Sequence, residues 1–310
     1  MTPHSPVGMI GLGLMGSALS ARLINAGLPV IGFDIDIARC DALRASGGNP
    51  AASASELIAT CRTIVVALYD AAQIGKVFDG FEKGAFLSDA TMICTTTCAP
   101  AEIVGVAKRA TDAGLRFVEA PVSGSSDEVR EGTATALISG EARDGKATAL
   151  ISGETDAIEA ASALLDVLCP QQIRVGNIGD AARTKLAINL IVQTNRAALA
   201  EGIAFAESLG LDPTDFLATA RRSAAYSRVM DVKGEKMVAR DFTPQSHISQ
   251  TLKDAELILG EARRLGQTLP MMTVQGALLR ATIALMGGDC DSAAVIETIR
   301  PSRKRSGGRK

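Results

Sequence analysis

Residues 7–16 read VGMIGLGLMG, and this stretch decides the fold. The apolar run at 7–10 predicts a short buried strand, and Gly11, Gly13 and Gly16 follow it in the spacing GxGxxG. Such glycines permit a tight turn, a close approach of the backbone to a pyrophosphate, and close packing of the next helix on the strand. Because the N-terminus of that helix offers unpaired N–H groups, the stretch predicts a dinucleotide-binding turn.

An acidic residue, Asp34, follows the second predicted strand, where dinucleotide-binding turns have a carboxylate for the ribose. A second apolar run at 30–33 predicts the next strand, and Asp34 follows it, roughly 20 residues after the glycines. A carboxylate there can bind ribose hydroxyls and would repel a 2′-phosphate, so we expect NAD in preference to NADP, although Arg39 lies nearby. The alternative interpretation of Asp34 is a helix-capping or loop acid. The cofactor-binding residues predicted here are Gly11, Leu12, Gly13, Leu14, Met15, Gly16 and Asp34.

The pattern before about residue 179 alternates short apolar runs with longer amphipathic segments. Strands are predicted at 7–10, 30–33, 63–68, 92–94 and 116–119, and helices at 16–26, 37–46, 54–60, 100–113 and 155–168. Strands separated by helices of this length form βαβ units, so the fold class is α/β with a Rossmann-type, mostly parallel sheet. Later Ala/Leu-rich segments have helical periodicity and predict an all-helical C-terminal domain. They lie at 182–209, 213–222, 248–265 and 272–286.

The chain of 310 residues is long enough for about two domains of ~150 residues. We expect a dinucleotide-binding domain over 1–178, a helical substrate and oligomerisation domain over 179–300, and a basic disordered tail over 301–310. One internal repeat, ATALISGE, occurs at 134–141 and again at 147–154. Its two copies predict a hairpin, or one strand in the sheet with the other copy displaced as a loop.

Composition excludes several classes of protein. With 47% hydrophobic residues and a net charge of −2, the chain has neither the composition of a disordered protein nor the positive field of a nucleic-acid binder. No apolar run reaches the ~18 residues of a membrane span. The six cysteines form no paired ligand motif, so we expect free thiols and no metal site. An apolar strand that begins this early leaves no room for a leader, and we expect a cytoplasmic protein.

Two other stretches carry groups suited to chemistry. Residues 119–125 read EAPVSGS after a predicted strand, and the hydroxyl and N–H groups of such a turn can bind a carboxylate. An ordinary Ser-Gly turn is the alternative. Lys185 and Asn189 are four residues apart on a predicted helix, so their side chains share a face. The alternative there is a solvated helix face.

Together, GLGLMG at 11–16, APVSG at 120–124 and the pair Lys185 and Asn189 resemble the β-hydroxyacid dehydrogenase family. The resemblance runs in order from about residue 7 to about residue 294. It implies a Rossmann-type domain followed by an all-helical domain, with the active site in the cleft between them.

The resemblance also implies the roles of individual residues. Lys185 corresponds to the catalytic lysine, Asn189 to the substrate-positioning asparagine, and Ser123 with Gly124 to the anchor of the substrate carboxylate. Ser125 departs from the family pattern, which has a second glycine there.

Three more positions match the family's cofactor site. Leu68 and Thr97 fall on residues that line the nicotinamide side, and Lys253, in the pair Lys253-Asp254, falls on a lysine that approaches the cofactor. Read without the resemblance, Lys253 would be a surface residue.

The sequence therefore predicts an oxidoreductase that transfers a hydride reversibly between NAD and a small β-hydroxy acid of the 3-hydroxyisobutyrate type, giving the semialdehyde or keto acid. Lys185 would exchange the hydroxyl proton, and burial would favour its neutral, basic form. An imine reductase-like enzyme and a catalytically silent NAD-binding protein are the alternatives, and Lys185 counts against both. The apolar surface of the helical half predicts a homodimer or homotetramer.

Overall fold

The computed structural model describes residues 5–81, 85–131 and 148–300. Internal contacts divide the chain into two compact units, Met1–Leu186 and Ala187–Lys310, called here the first unit and the helical unit. The first copy of ATALISGE and the basic tail lie outside the described residues.

The first unit is built on a mostly parallel sheet with helices on both faces. Its strands are β1 (Val7–Ile10), β2 (Val30–Phe33), β3 (Asn49–Pro50), β4 (Thr63–Val66), β5 (Thr91–Cys94), β6 (Arg116–Glu119), β7 (Val122–Ser123), β8 (Thr148–Gly153) and β9 (Gln171–Arg174). Its helices are α1 (Leu14–Asn25), α2 (Ile37–Ala45), α3 (Ala54–Thr60), α4 (Ala71–Asp79), α5 (Pro100–Asp112), α6 (Ser126–Glu131) and α7 (Thr155–Leu168).

Strand order explains where a ligand can bind. The parallel part of the sheet has the order β3-β2-β1-β4-β5-β6. The chain therefore leaves β1 toward one edge and returns through β4 toward the other, which opens a crevice at the carboxyl ends of these two strands. The predicted Rossmann-type sheet is confirmed.

The strands read as continuous apolar runs because both of their faces are buried. Met9, Val65 and Ile93 point into one core, which α1 and α7 cover. Residues one position away, such as Ile64 and Met92, point into a second core, which α3, α4 and α5 cover. Alternation with a period of two thus divides one apolar run between two cores.

The second copy of ATALISGE supplies β8, which the sequence left undecided between two arrangements. This strand pairs antiparallel with β6 and β7 and parallel with β9, so it extends the sheet beyond its parallel part. The sequence did not predict β7 or β9, because β7 has only two residues and β9 reads QQIR, with little apolar content.

The helical unit follows from α8 (Asp180–Ser208), which begins in the first unit. Its other helices are α9 (Pro213–Ala220), α10 (Arg228–Ala239), α11 (Ile248–Arg264), α12 (Pro270–Met286) and α13 (Ile296–Ile299), with a 3₁₀ turn at Ser292–Val295. Within the described residues it has no strand, only an isolated bridge between His247 and Asp291. The prediction of a helical C-terminal region is confirmed.

The core of the helical unit contains apolar residues from α8, α9, α10 and the C-terminal turns, including Ile203, Leu217 and Met237. The sequence did not predict α10, which contains an interior glycine and the buried Lys233. Lys233 Nζ lies 2.8 Å from both carboxylate oxygens of Asp291, so its burial depends on a residue far along the chain. None of the helices in the described ranges has the length and hydropathy needed to cross a membrane.

Candidate active site

The glycine turn joins β1 to α1, as predicted. Gly11 has φ +92°, and a Cβ atom there would lie 2.5 Å from the carbonyl oxygen of Ala67. A Cβ at Gly16 would overlap the carbonyl oxygen of Gly11, so only glycine allows α1 to pack this closely. Gly13, by contrast, is the N-cap of α1, and the nearest atom to a Cβ there would be 3.8 Å away on Arg39.

Asp34 lies at the end of β2 and faces this turn. Its Oδ2 accepts a hydrogen bond of 2.7 Å from the backbone N–H of Leu12, and its Oδ1 accepts one of 2.9 Å from Asp36. The guanidinium of Arg39 is 3.3 Å from Oδ2, while its side chain is half exposed. The glycine turn therefore orients the carboxylate of Asp34, and the Arg39 guanidinium lies on the solvent side of that carboxylate.

The ends of β4 and β5 lie beside the same turn. A Cβ at Gly11 would lie 2.9 Å from Cδ2 of Leu68, which places Leu68 against the first glycine. The backbone N–H of Leu68 donates to Oγ1 of Thr96 at 3.1 Å, and this bond joins the two strand ends. Thr97, the next residue, is half-buried. The structure thus brings Leu68 and Asp34 to the glycine turn and places Thr97 one residue beyond this contact.

The predicted carboxylate anchor lies on the turn after β7. Ser123 ends that strand and is buried, and Gly124 has φ +151°. The next residue, Ser125, is hydrogen-bonded to a glutamate three residues further on. Oε2 of Glu128 accepts hydrogen bonds from the backbone N–H of Ser125 at 2.8 Å and from its hydroxyl at 2.9 Å. Glu128 therefore closes the start of α6, and the donors of Ser125 are already used.

Lys185 lies near the start of α8 and is 6% exposed. The start of that helix is held by Glu119, whose carboxylate accepts the backbone N–H of Gly179 at 2.7 Å and of Ala182 at 2.6 Å. Sequence reasoning missed this role of Glu119. A carboxylate that ends a buried strand was the available signal, but its partners lie 60 and 63 residues further along the chain.

In the helical unit, a single carboxylate contacts two of the predicted site residues. Oδ2 of Asp254 accepts a hydrogen bond of 3.0 Å from Nδ2 of Asn189. Nζ of Lys253 lies 3.0 Å from Oδ1 of the same group, and the Lys253 side chain is only 11% exposed. The interpretation of Lys253 as a surface residue is therefore wrong, and Asp254 is a further candidate that sequence reasoning noted only as part of a pair.

The described residues contain no group of three or more His, Cys, Asp or Glu side chains that could hold a metal ion. The candidate residues are donors and acceptors of the kind that an organic ligand uses. In the first unit they are a glycine turn with an acid, a serine turn and a buried lysine, and in the helical unit they are an asparagine with a Lys-Asp pair.

Two known protein families match the two parts of the chain. The NAD-binding domain of 6-phosphogluconate dehydrogenase matches residues 6–176. The family described as the NAD-binding of NADP-dependent 3-hydroxyisobutyrate dehydrogenase matches residues 179–299. The chain therefore has an NAD(P)-binding domain, and these descriptions include both NAD and NADP.

Relatives with assigned activities match over nearly the whole length. The chain is 28% identical to a chloroplastic glyoxylate/succinic semialdehyde reductase of Arabidopsis thaliana, over 96% of this chain and 80% of that protein. It is also 28% identical to the 2-hydroxy-3-oxopropionate reductase of Escherichia coli, over 94% of this chain and 96% of that protein.

A solved structure has the same fold. The crystal structure of 3-hydroxyisobutyrate dehydrogenase from Salmonella typhimurium superposes with a TM-score of 0.83 at 25% identity, covering 94% of this chain and 99% of that one. The two family matches agree with the named reductases and with this solved structure. The chain belongs to the β-hydroxyacid dehydrogenase family and is a hydroxy acid dehydrogenase.

Proposed function

We propose that this enzyme transfers a hydride reversibly between NAD and a small β-hydroxy acid of the 3-hydroxyisobutyrate type, giving the semialdehyde or keto acid. The observation that carries the proposal is Lys185, a lysine buried to 6% exposure on a helix whose start is fixed by Glu119. Asn189 follows one turn later on the same face. A buried amine is suited to a substrate that exchanges a proton at a hydroxyl oxygen.

The residues of the first unit fit a nicotinamide dinucleotide. Gly11 and Gly16 have no room for a side chain, whereas a Cβ at Gly13 would meet only Nη1 of Arg39, 3.8 Å away, at the start of α1, where a pyrophosphate would lie. Leu12, Leu14 and Met15 complete the turn, and Leu68 and Thr97 would line the nicotinamide side. When bound, the cofactor supplies or accepts the hydride.

Asp34 supports NAD over NADP. Its buried carboxylate would accept hydrogen bonds from ribose hydroxyls and would repel a 2′-phosphate. Arg39 lies 3.3 Å away and weakens that repulsion, so we propose a preference for NAD that is moderate in size.

Each remaining residue has a role that its chemistry supports. The amine of Lys185 would take the hydroxyl proton during oxidation and return it during reduction. The amide of Asn189, already held by Asp254, would orient the hydroxyl oxygen. Ser123 and Gly124 would bind the acid end through hydroxyl and N–H groups, since Ser125 is occupied by Glu128. Lys253 would approach the cofactor.

The two parts of the chain would divide the work of the enzyme. Residues 1–178 would bind the cofactor, and residues 179–300 would supply substrate and subunit contacts. The six cysteines are free, which suits a reducing compartment such as the cytoplasm.

The test is turnover of purified protein with NAD or NADP and a panel of small hydroxy acids, followed through the absorbance of reduced nicotinamide. We expect Lys185→Met to lower kcat about 10²- to 10⁴-fold and leave cofactor affinity unchanged. Lys108→Met, which removes an exposed lysine, is the control.

Other outcomes would contradict the proposal. Full activity of Lys185→Met would remove the proton-transfer role, and a higher efficiency with NADP would remove the role of Asp34. Turnover of cyclic imines alone would identify an imine reductase-like enzyme. Cofactor binding without turnover of any substrate would identify a silent NAD-binding protein.

A further inference from the structure

A stripe of polar residues follows one face of α8 inside the helical unit. Asn189, Gln193 and Arg196 are spaced by four and three residues, so they lie on the same side of the helix. Gln193 and Arg196 are 3% and 7% exposed. The same face continues with Leu199 and Ile203, which belong to the apolar core. A guanidinium is therefore enclosed at the point where the polar stripe meets that core.

The guanidinium of Arg196 has N–H donors that form no hydrogen bond with the described residues around it. Its Nε and Nη1 have no hydrogen-bond partner among the residues that the structure describes. Burial lowers the pKa of the Arg196 guanidinium, and the negative charges of Asp291 and Asp254 oppose that shift. Arginine nevertheless stays protonated in proteins. A buried cation with open donors is costly, and the negative charges of these two carboxylates offset part of that cost.

Asp291 is already fully used. Its oxygens accept Nζ of Lys233 at 2.8 Å, and the backbone N–H groups of Gln245 at 2.8 Å and Ala293 at 2.9 Å. It joins α10 to the 3₁₀ turn and the loop before α11. If the charge of Arg196 were removed, Asp291 would still accept all of these hydrogen bonds, so its position does not depend on Arg196.

Asp254 still has acceptor capacity. Oδ2 accepts the amide of Asn189, whereas the ammonium of Lys253, although 3.0 Å from Oδ1, is not aligned to form a hydrogen bond with it. Oδ1 thus has no hydrogen bond within the described part of the chain. The open donors of Arg196 are on α8, and the open acceptor of Asp254 is on α11. The hydrogen bond between Asn189 and Asp254 joins these two helices of the helical unit.

We propose that Arg196 is a positioning residue, which holds the carboxylate of Asp254 in place by its charge and thereby fixes the amide of Asn189 and the ammonium of Lys253. The inference rests on the proposed function, in which Asn189 orients the substrate hydroxyl and Lys253 approaches the cofactor. Arg196 itself touches neither ligand. Its effect reaches the reaction only through Asp254.

The first experiment compares Arg196→Met with Arg196→Lys. The methionine side chain is long and unbranched like that of arginine but carries no charge, whereas lysine keeps the positive charge. We expect Arg196→Met to lower kcat/KM about tenfold or more, because a small displacement of an orienting group is expensive in rate, and we expect Arg196→Lys to recover most of the loss. Arg263→Met, which removes an exposed arginine from the last turn of α11, is the control.

The second experiment tests the route through Asp254. In an Asp254→Asn background, Arg196→Met should have almost no further effect on kcat/KM, since residues that act through one another are not additive. Full additivity would overturn the inference. So would an Arg196→Met enzyme that loses thermal stability while its kcat and KM are those of the wild type, because that result describes a structural residue.

A crystal structure of Arg196→Met separates this inference from the proposed function. We expect the contact between Nδ2 of Asn189 and Oδ2 of Asp254, now 3.0 Å, to lengthen beyond hydrogen-bond distance. If the contact is kept, the inference fails even when the enzyme is active on hydroxy acids. If wild-type protein turns over no hydroxy acid and the contact is lost in the variant, the proposed function fails and the positioning of Asp254 stands.

Discussion

The three glycines of the turn are glycine for different physical reasons. Gly11 needs a positive φ and closely approaches Ala67, and Gly16 lies too near the carbonyl of Gly11 for any side chain. Gly13 has an ordinary φ of −64° and nothing closer than 3.8 Å to a Cβ. The fold requires the first and third glycines. The fold does not require the second, which is the N-cap of α1 and leaves room for a ligand there.

This difference predicts opposite defects for two alanine substitutions. Gly16→Ala should lower the free energy of unfolding by about 1–3 kcal/mol, because the methyl group must displace the backbone. Gly13→Ala should unfold like the wild type in urea but bind NADH more weakly, measured by the fluorescence of the reduced nicotinamide. Wild-type affinity in Gly13→Ala would show that no ligand comes close to this residue.

Individual contacts were the part of the site that the sequence predicted least well. The roles of Gly11 and Asp34 follow from a local motif, because the residues that define it lie within one strand, one turn and one helix. The contact between Asn189 and Asp254 spans 65 residues and depends on how two helices pack. No local pattern encodes such a contact, and the buried charge of Arg196 has no sequence signature at all.

At the scale of elements, α8 depends on a strand for its start. Glu119, at the end of β6, is 1% exposed and accepts the backbone N–H of Gly179, just before α8, and that of Ala182 in its first turn. A carboxylate is favoured there because the N-terminus of a helix carries a partial positive charge and unpaired donors. The bond orients the helix on which Lys185 lies.

Replacing this carboxylate should destabilise the protein measurably. Glu119→Gln turns one acceptor into a donor that faces a backbone N–H, and we expect a loss of about 2 kcal/mol, seen as a Tm lower by about 4–8 °C. The control is Glu102→Gln on α5, where an exposed glutamate accepts the N–H of Ala99 at 2.9 Å. A Tm change in Glu119→Gln no larger than in this control would contradict the role.

Elements with their own apolar periodicity were predicted well, and those stabilised from a distance were not. The strands at 7–10, 30–33 and 116–119 match the structure residue for residue, because each is a buried apolar run. Helix α10 was missed because Lys233 and a glycine interrupt its apolar face. That face forms only because Asp291 pairs with the lysine.

At the scale of the whole molecule, the helical unit leaves apolar side chains in contact with solvent. On α8, Ile191 and Phe205 are 53% and 66% exposed, and Leu209, just beyond its end, is 61% exposed. On α12, Met271 and Val274 are 66% and 56% exposed. Exposed apolar side chains also occur in the first unit, for example Ile37 at 75%, but on α8 and α12 several of them share one helix. This pattern supports the proposed homodimer or homotetramer.

The last prediction concerns the oligomeric state. Light scattering after size exclusion should give the mass of a dimer or tetramer at micromolar concentration, because covering this surface removes apolar area from water. Phe205→Glu should shift the mass toward the monomer, since a buried carboxylate without a partner is unfavourable. Ile37→Glu, at a 75% exposed site on α2 in the first unit, is the control and should keep the wild-type mass. A monomeric wild type would show that these side chains serve another purpose, and a Phe205→Glu protein of unchanged mass would place the contact elsewhere.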